Sequence, residues 1–138
     1  MRRLALVALL AVVLSAVAAP PVLAAGRGRT HVVNNCRGAK VRPRYILFAC
    51  GDGAFYMRQG SWRTWYRWRA VGHGVFHQND CHPSCAGGTF HTEPGKIVLK
   101  HRVRCPGVHR YVFTRARITF RGRLVGRHRT RADLICPT

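Results

Sequence analysis

The sequence predicts a small all-β domain, an antiparallel sandwich or barrel-like fold stabilised by disulfides, with little helix after an N-terminal leader. Three observations predict it. From His31 onward, short stretches alternate apolar and polar residues with the period of two that a half-buried strand requires. Six cysteines, Cys36, Cys50, Cys81, Cys85, Cys105 and Cys136, lie downstream of an export-type leader. An even count in a small exported chain reads as up to three disulfides, whose pairing the sequence leaves open. No window past the leader carries a capped apolar stripe at the 3.6-residue helical period.

The leader comes first. Arg2 and Arg3 make a short positive region, "LALVALLAVVLSAV" from Leu4 to Val17 is an apolar run of fourteen residues, and Val22 to Ala24 offers small residues to a signal peptidase. The run is short for a membrane span, which takes about 20 residues. Residues 1–24 are therefore expected to be a cleaved signal peptide. Residues 25–30 ("AGRGRT") form a polar, flexible N-terminus, and 31–138 form a single β domain. The expected location is extracellular or at the cell envelope. Cleavage after Ala24 leaves 114 residues, enough for one core and hardly for two.

Within the domain, "RYILFAC" (Arg44 to Cys50) reads as a strand that ends at the turn signal "GDG". "AFYMRQ" follows, so a hairpin across Gly51 to Gly53 is expected. In "SWRTWYRWRAVGHGVFHQ", uninterrupted alternation would put Trp62, Thr64, Tyr66, Trp68 and Ala70 on a core face. Arg63, Trp65, Arg67, Arg69 and Val71 would lie on a basic face carrying one exposed indole, Trp65. Trp62 and Trp68 then read as core pillars. "KIVLKHRVRC" places Ile97, Leu99, His101 and Val103 together. "VHRYVFTRARITF" places Val108, Arg110, Val112, Thr114, Ala116, Ile118 and Phe120 together, opposite Tyr111, Phe113, Arg115, Arg117 and Thr119. The tail from Arg121 is poor in apolar residues, and Cys136 is expected to tie it back.

The charge is extreme: 24 Lys and Arg against 4 acidic residues, a net charge of +20 for the whole chain and +18 without the leader. Twenty-one of the basic residues are arginine, and the three lysines are Lys40, Lys96 and Lys100. GC-rich coding favours arginine, but the guanidinium fork also matches phosphate and carboxylate better than an ammonium does. A surface of this sign collects polyanions in a salt-dependent way.

Chemistry-bearing residues concentrate in "HQNDCHPSCAGGTFHTEPG", His77 to Gly95. Cys81 and Cys85 with His77, His82 and His91 have the residue types of a zinc site. In an exported chain a structural disulfide ranks above it, with Pro83, Gly87 and Gly88 as corner residues. No metal or other cofactor is expected. A secreted hydrolase, ribonuclease-like or acting on a cell-wall polymer, could use His91 with Glu93 or Asp80 as its acid and base. "HTEPG", however, reads as the approach to a turn, and Asp80 and Asp52 read as turn formers. A nucleophile elbow is missing, and a catalytic cysteine would break the even count. The arginines interleaved with aromatic rings form the strongest functional pattern: Arg63, Arg67 and Arg69 around Trp65, and Arg115 and Arg117 beside Tyr111 and Phe113. An amphipathic membrane-active helix is not found.

"PRYILFACGDGAFYM", the spacing of Trp62 and Trp65, "AVGHGVFHQNDCHPSCAGGTF" and "PGKIVL" resemble a group of small exported actinobacterial proteins of uncharacterised function. The "ACGDG" and "NDCxPxCAxG" blocks carry most of that resemblance, which spans about Pro43 to Leu99. It implies export and a β-rich disulfide domain, and matches Cys50, Cys81 and Cys85. Cys36, Cys105, Cys136 and most of the arginine excess fall outside the matched blocks, and no catalytic residue carries over. The resulting expectation is a noncatalytic binding module for an anionic polymer, a cell-envelope polymer or a nucleic acid. Arg63, Arg67, Arg69, Arg115 and Arg117 would hold that polymer and Trp65 would stack on it. The alternatives are the hydrolase, and an inhibitor or toxin-like interaction protein whose contact loop would carry no readable motif.

Overall fold

A computed structural model describes residues 29–137. The expected leader and residues 25–28 lie outside this span. Eight strands follow in chain order: β1 (His31–Val33), β2 (Ala39–Lys40), β3 (Ile46–Leu47), β4 (Phe55–Trp65), β5 (Ala70–Asn79), β6 (Phe90–Cys105), β7 (Arg110–Leu124) and β8 (Arg127–Asp133). A 3-10 turn at Pro106–Val108 joins β6 to β7. The strands form one sheet in the order β2, β1, β7, β6, β5, β4, β3, curled into a half-barrel. β1 lies parallel on the edge of β7 at Val112 and Phe113, and β8 pairs antiparallel with β7 from Arg115 to Leu124. The all-β class read from alternation is the class observed.

The long central strands follow the alternation. Ile97 and Leu99 of β6 and Ala116, Ile118 and Phe120 of β7 turn inward with Met57 and Phe76. Lys96, Lys100, Arg115 and Arg117 turn outward to solvent. Phe76, Phe113 and Phe120 are buried completely or nearly so, each contributing roughly 1.5 to 3 kcal/mol of transfer free energy. A second cluster, Val33, Cys105 and Val112, packs with Val103, Val108 and Cys136. Neighbouring residues of β1 serve both clusters, Val32 the first and Val33 the second.

The disulfides pair neighbours in sequence: Cys36–Cys50, Cys81–Cys85 and Cys105–Cys136. The first and third close loops with sequence separations of 14 and 31, for which chain-entropy arguments give about 3 to 4 kcal/mol each. The third ties the tail to the end of β6, as expected of Cys136. Such bridges belong to a non-reducing environment. Among the described residues no helix is long and apolar enough to cross a membrane.

The Gly51–Gly53 hairpin forms between β3 and β4, with the Ala54 N–H donating to Asp52 Oδ1. Elsewhere the structure departs from simple alternation. The tryptophan stretch is two strands joined by a tight turn at residues 66–69, closed by the Tyr66 N–H donating to the Arg69 carbonyl. Periodicity is blind to a reversal of direction, and "YRWR" lacks the Gly, Asn or Pro that usually marks one. Trp62 lies across its register partner Gly72, where a Cβ would come within 2.7 Å of the indole. "HTEPG" belongs to β6 and approaches no turn. His101 has a left-handed φ of 58° and is exposed, contrary to its expected inward place. Opposite this irregularity β7 changes its facing residues, so that Phe113 is fully buried. The basic tail is ordered as β8, entered through Val125 and Gly126 at φ 45° and 75°, the left-handed pair of a two-residue hairpin turn. Thr30, expected in the flexible N-terminus, is fully buried and hydrogen-bonded.

Candidate polyanion-binding surface

The loop between β5 and β6 gathers the residues that looked most like a site, and their functional groups meet one another. Asn79 receives the Cys81 N–H on Oδ1 at 2.8 Å and donates Nδ2 to the Cys85 carbonyl at 2.8 Å. Asp80 Oδ1 accepts the His82 and Thr89 N–H groups at 3.1 and 2.9 Å, while Oδ2 meets His91 Nε2 at 2.9 Å. The His91 hydrogen bond, reinforced by those two backbone donors, holds the Asp80 carboxyl down to about 2. Asp80 is thus the organising group of a turn, as its sequence context suggested. Glu93 stands two residues along β6 from His91, yet its Oε1 accepts the Gly122 N–H of β7 at 2.6 Å. The two residues therefore engage different partners. The sulfurs of Cys81 and Cys85 come near Asp52, a grouping with the residue types of a metal site, but they are joined to each other as a disulfide and offer no thiolate.

The basic residues are placed differently. On the outer face of the sheet, cross-strand register lines up Thr64, Val71, Val98, Arg117 and Arg131, and beside them Ser61, His73, Lys96, Thr119 and Arg129. A third rung joins Lys100, Arg115 and Asp133. Five strands at about 4.8 Å spacing make this face roughly 19 Å wide. Arg115, Arg117 and Arg131 line a trough of about 490 Å³. Arg117 and Arg131 continue into a neighbouring one of about 610 Å³ with Arg127 and Arg129. At the other margin Arg63, Arg69 and Lys96 surround a depression of about 320 Å³ with Tyr66.

Among the described residues no arginine or lysine forms an ion pair with a carboxylate; the one ion pair there is His91 with Asp80. Three of the four acidic side chains, Asp52, Asp80 and Glu93, are engaged by backbone N–H groups instead. The outer face therefore presents rows of exposed cations that form no ion pair, with Asp133 lying opposite Arg115 as the acidic residue of the same trough. Mutual repulsion disfavours such rows in isolation, and a multivalent anion would relieve it.

Of the expected binding residues, Arg115 and Arg117 share one trough and Arg63 and Arg69 share one depression. Arg67 stands apart, its guanidinium carbon 4.9 Å from the Trp68 ring centroid. The two indoles exchange the roles expected of them. Trp65 is half-buried, edge-on to Trp62 at 4.6 Å and to Phe113 at 5.8 Å, with Nε1 donating to the Thr30 carbonyl. Trp68 is 63% exposed and is no core pillar. Two features produce the exchange: a register shift between Trp62 and Thr64 breaks the alternation and brings Trp65 to the side of Trp62, and the turn at residues 66–69 carries Trp68 out of the strand.

Sequence reasoning also missed Arg102, half-buried on β6. Its guanidinium carbon lies 3.3 Å from the Tyr111 ring centroid and 5.2 Å from that of Trp68. Its Nε donates to Thr30 Oγ1 at 3.1 Å. The alternation of arginine and aromatic residues was the available signal, but joining positions 67, 68, 102 and 111 required the register. A further aromatic patch on β4 and β5 stacks Tyr56 on His77 at 4.7 Å, with Phe90 at 5.7 Å from Tyr56. Burial, followed by the Arg58 charge, lowers the His77 pKa. The chain matches no family model, no curated protein and no solved structure.

Proposed function

We propose that this is an exported, noncatalytic module that binds an anionic polymer, either a cell-envelope polymer or a nucleic acid. The observation that carries the reading is the outer face, where Arg63, Arg69, Lys96, Lys100, Arg115, Arg117, Arg129 and Arg131 are exposed and none is paired with a carboxylate. Export is supported by the leader-like N-terminus and by the disulfides.

The test is equilibrium binding of labelled polyphosphate between about 50 and about 200 mM salt, with the ligand recovered and sized afterwards. A log–log slope of about −4 or steeper is expected, because six or more engaged cations contribute about −0.7 each. The ligand should come back intact. A flat salt dependence, or no binding at low salt, would overturn the reading.

A second reading, a hydrolase of RNA or a cell-wall polymer using His91 with Asp80 or Glu93, draws on the His91–Asp80 hydrogen bond. It requires turnover that His91→Ala abolishes while the fold persists.

A further inference from the structure

Arg102 differs from the arginines of the outer face in being held in place. Its guanidinium plane rests on Tyr111 at 3.3 Å from the ring centroid, and its Nε is fixed by Thr30 Oγ1. Thr30 is fully buried, donates the same hydroxyl to the Arg67 carbonyl at 2.7 Å, and receives Trp65 Nε1 on its own carbonyl. The core thus anchors one hydroxyl, and that hydroxyl aligns both Arg102 and the turn that carries Arg67 and Trp68. Among the described residues no hydrogen bond occupies the terminal nitrogens of Arg102 or Arg67. Around them stand two rings open to solvent, Trp68 at 63% and Tyr111 at 39% exposure.

We propose that Arg67, Trp68, Arg102 and Tyr111 form a recognition site for single-stranded nucleic acid. This inference rests on the polyanion-binding reading and narrows its ligand. A guanidinium with Nε engaged and its plane stacked presents the two terminal nitrogens as a fixed fork, which matches two oxygens of a phosphodiester. An exposed indole beside that fork gives the neighbouring base a surface to stack on. A base-free polymer would use the fork and leave the rings idle. A duplex keeps its bases stacked on one another and would not offer them. Single strands supply phosphate and an unstacked base at adjacent positions, the two chemistries this cluster combines.

The experiment compares fluorescently labelled oligo(dT) of about twelve nucleotides, within the usual span of a single-strand site, with polyphosphate of matched charge. The oxidised protein, Trp68→Ala, Trp68→Phe and Arg102→Lys are each measured at one salt concentration, with circular dichroism confirming the fold. Trp68→Ala should weaken oligo(dT) by roughly 5- to 100-fold, the range that loss of one base stack gives, and leave polyphosphate within about twofold. Trp68→Phe should recover most of the oligo(dT) loss. Arg102→Lys should weaken oligo(dT) without changing its salt slope, because the charge stays and the fork goes. Equal losses for both ligands in Trp68→Ala, or no loss for either, would overturn this site while leaving polyanion binding intact. Failure of the unsubstituted protein to bind either ligand would overturn both.

Discussion

The loop from Asn79 to His91 and the outer face of β5 to β8 are both dense in residues that can do chemistry, and they differ in what those residues face. In the loop nearly every functional group closes on another: Asp80 on His91 and two backbone donors, Asn79 on both ends of the Cys81–Cys85 turn, the two sulfurs on each other. On the outer face the cations have solvent in front of them, and Asp133, the carboxylate lining their trough, forms no ion pair with them. A rare cluster of histidine, cysteine and aspartate can thus be a self-contained structural device. A repetitive row of arginines, bland in sequence, leaves its charged groups free of ion pairs.

Breaking the outer face should have the largest effect. Reversing Arg115, Arg117 and Arg131 to Glu should lower polyphosphate affinity by at least about 100-fold at low salt and reduce the log–log salt slope by about 2 to 3. The melting transition should move little, since exposed positions of this kind cost about 0.5 kcal/mol or less each. Breaking the loop should do the converse. Cys81→Ser with Cys85→Ser should cost about 2 kcal/mol in urea unfolding, the chain-entropy value for so short a ring, with affinity unchanged within about twofold. A joint loss of affinity and stability in either variant would dissolve the distinction between the regions.

Acid titration sharpens the comparison further. The Asp80 carboxyl lies at about 2 in the fold against an ordinary 3.8, so its stabilisation of the loop is fully present above pH 3.8 and is lost as pH falls through about 2. Exchange protection of the His82 and Thr89 amides, followed by NMR, should decline over that window; loss well above pH 4 would mean that this carboxylate does not hold the loop. The smallest effect belongs to His31 and His77, whose pKa values are lowered from 6.5 chiefly by burial, with Arg110 and Arg58 adding to it. The fold therefore prefers both neutral. Stability should be full above pH 6.5 and slip as pH falls through their lowered values, with His77→Gln and His31→Gln each removing part of the slope in urea midpoints.

The parts of this fold legible in sequence are those governed by local pattern. Ile97, Leu99, Ala116, Ile118 and Phe120 announce the inner face by alternation, and "GDG" announces its hairpin. What escaped depends on contacts distant in sequence or on turns with unmarked residues. The turn at residues 66–69 carries none of the usual breakers and nothing local marks the register shift between Trp62 and Thr64, so alternation ran straight through both and interchanged Trp65 and Trp68. β8 was obscured by its charge, although Arg127, Arg129 and Arg131 suit an edge strand, where charge discourages further pairing. The outer-face arginines Arg63, Arg69, Arg115 and Arg117 were legible as a class. Arg102 was not, because what sets it apart is Thr30, 72 residues away and outside the segment expected to be ordered.

The most direct measurement is an NMR titration of the labelled, oxidised protein with polyphosphate, reading the arginine Nε and backbone amide signals of both regions in one experiment. The expected result is a set of shifts at Arg63, Arg69, Arg115, Arg117, Arg129 and Arg131 that collapses on adding salt, with the amides from Asp80 to His91 unmoved. Shifts centred on Asp80 and His91, with the outer-face arginines silent, would contradict the account.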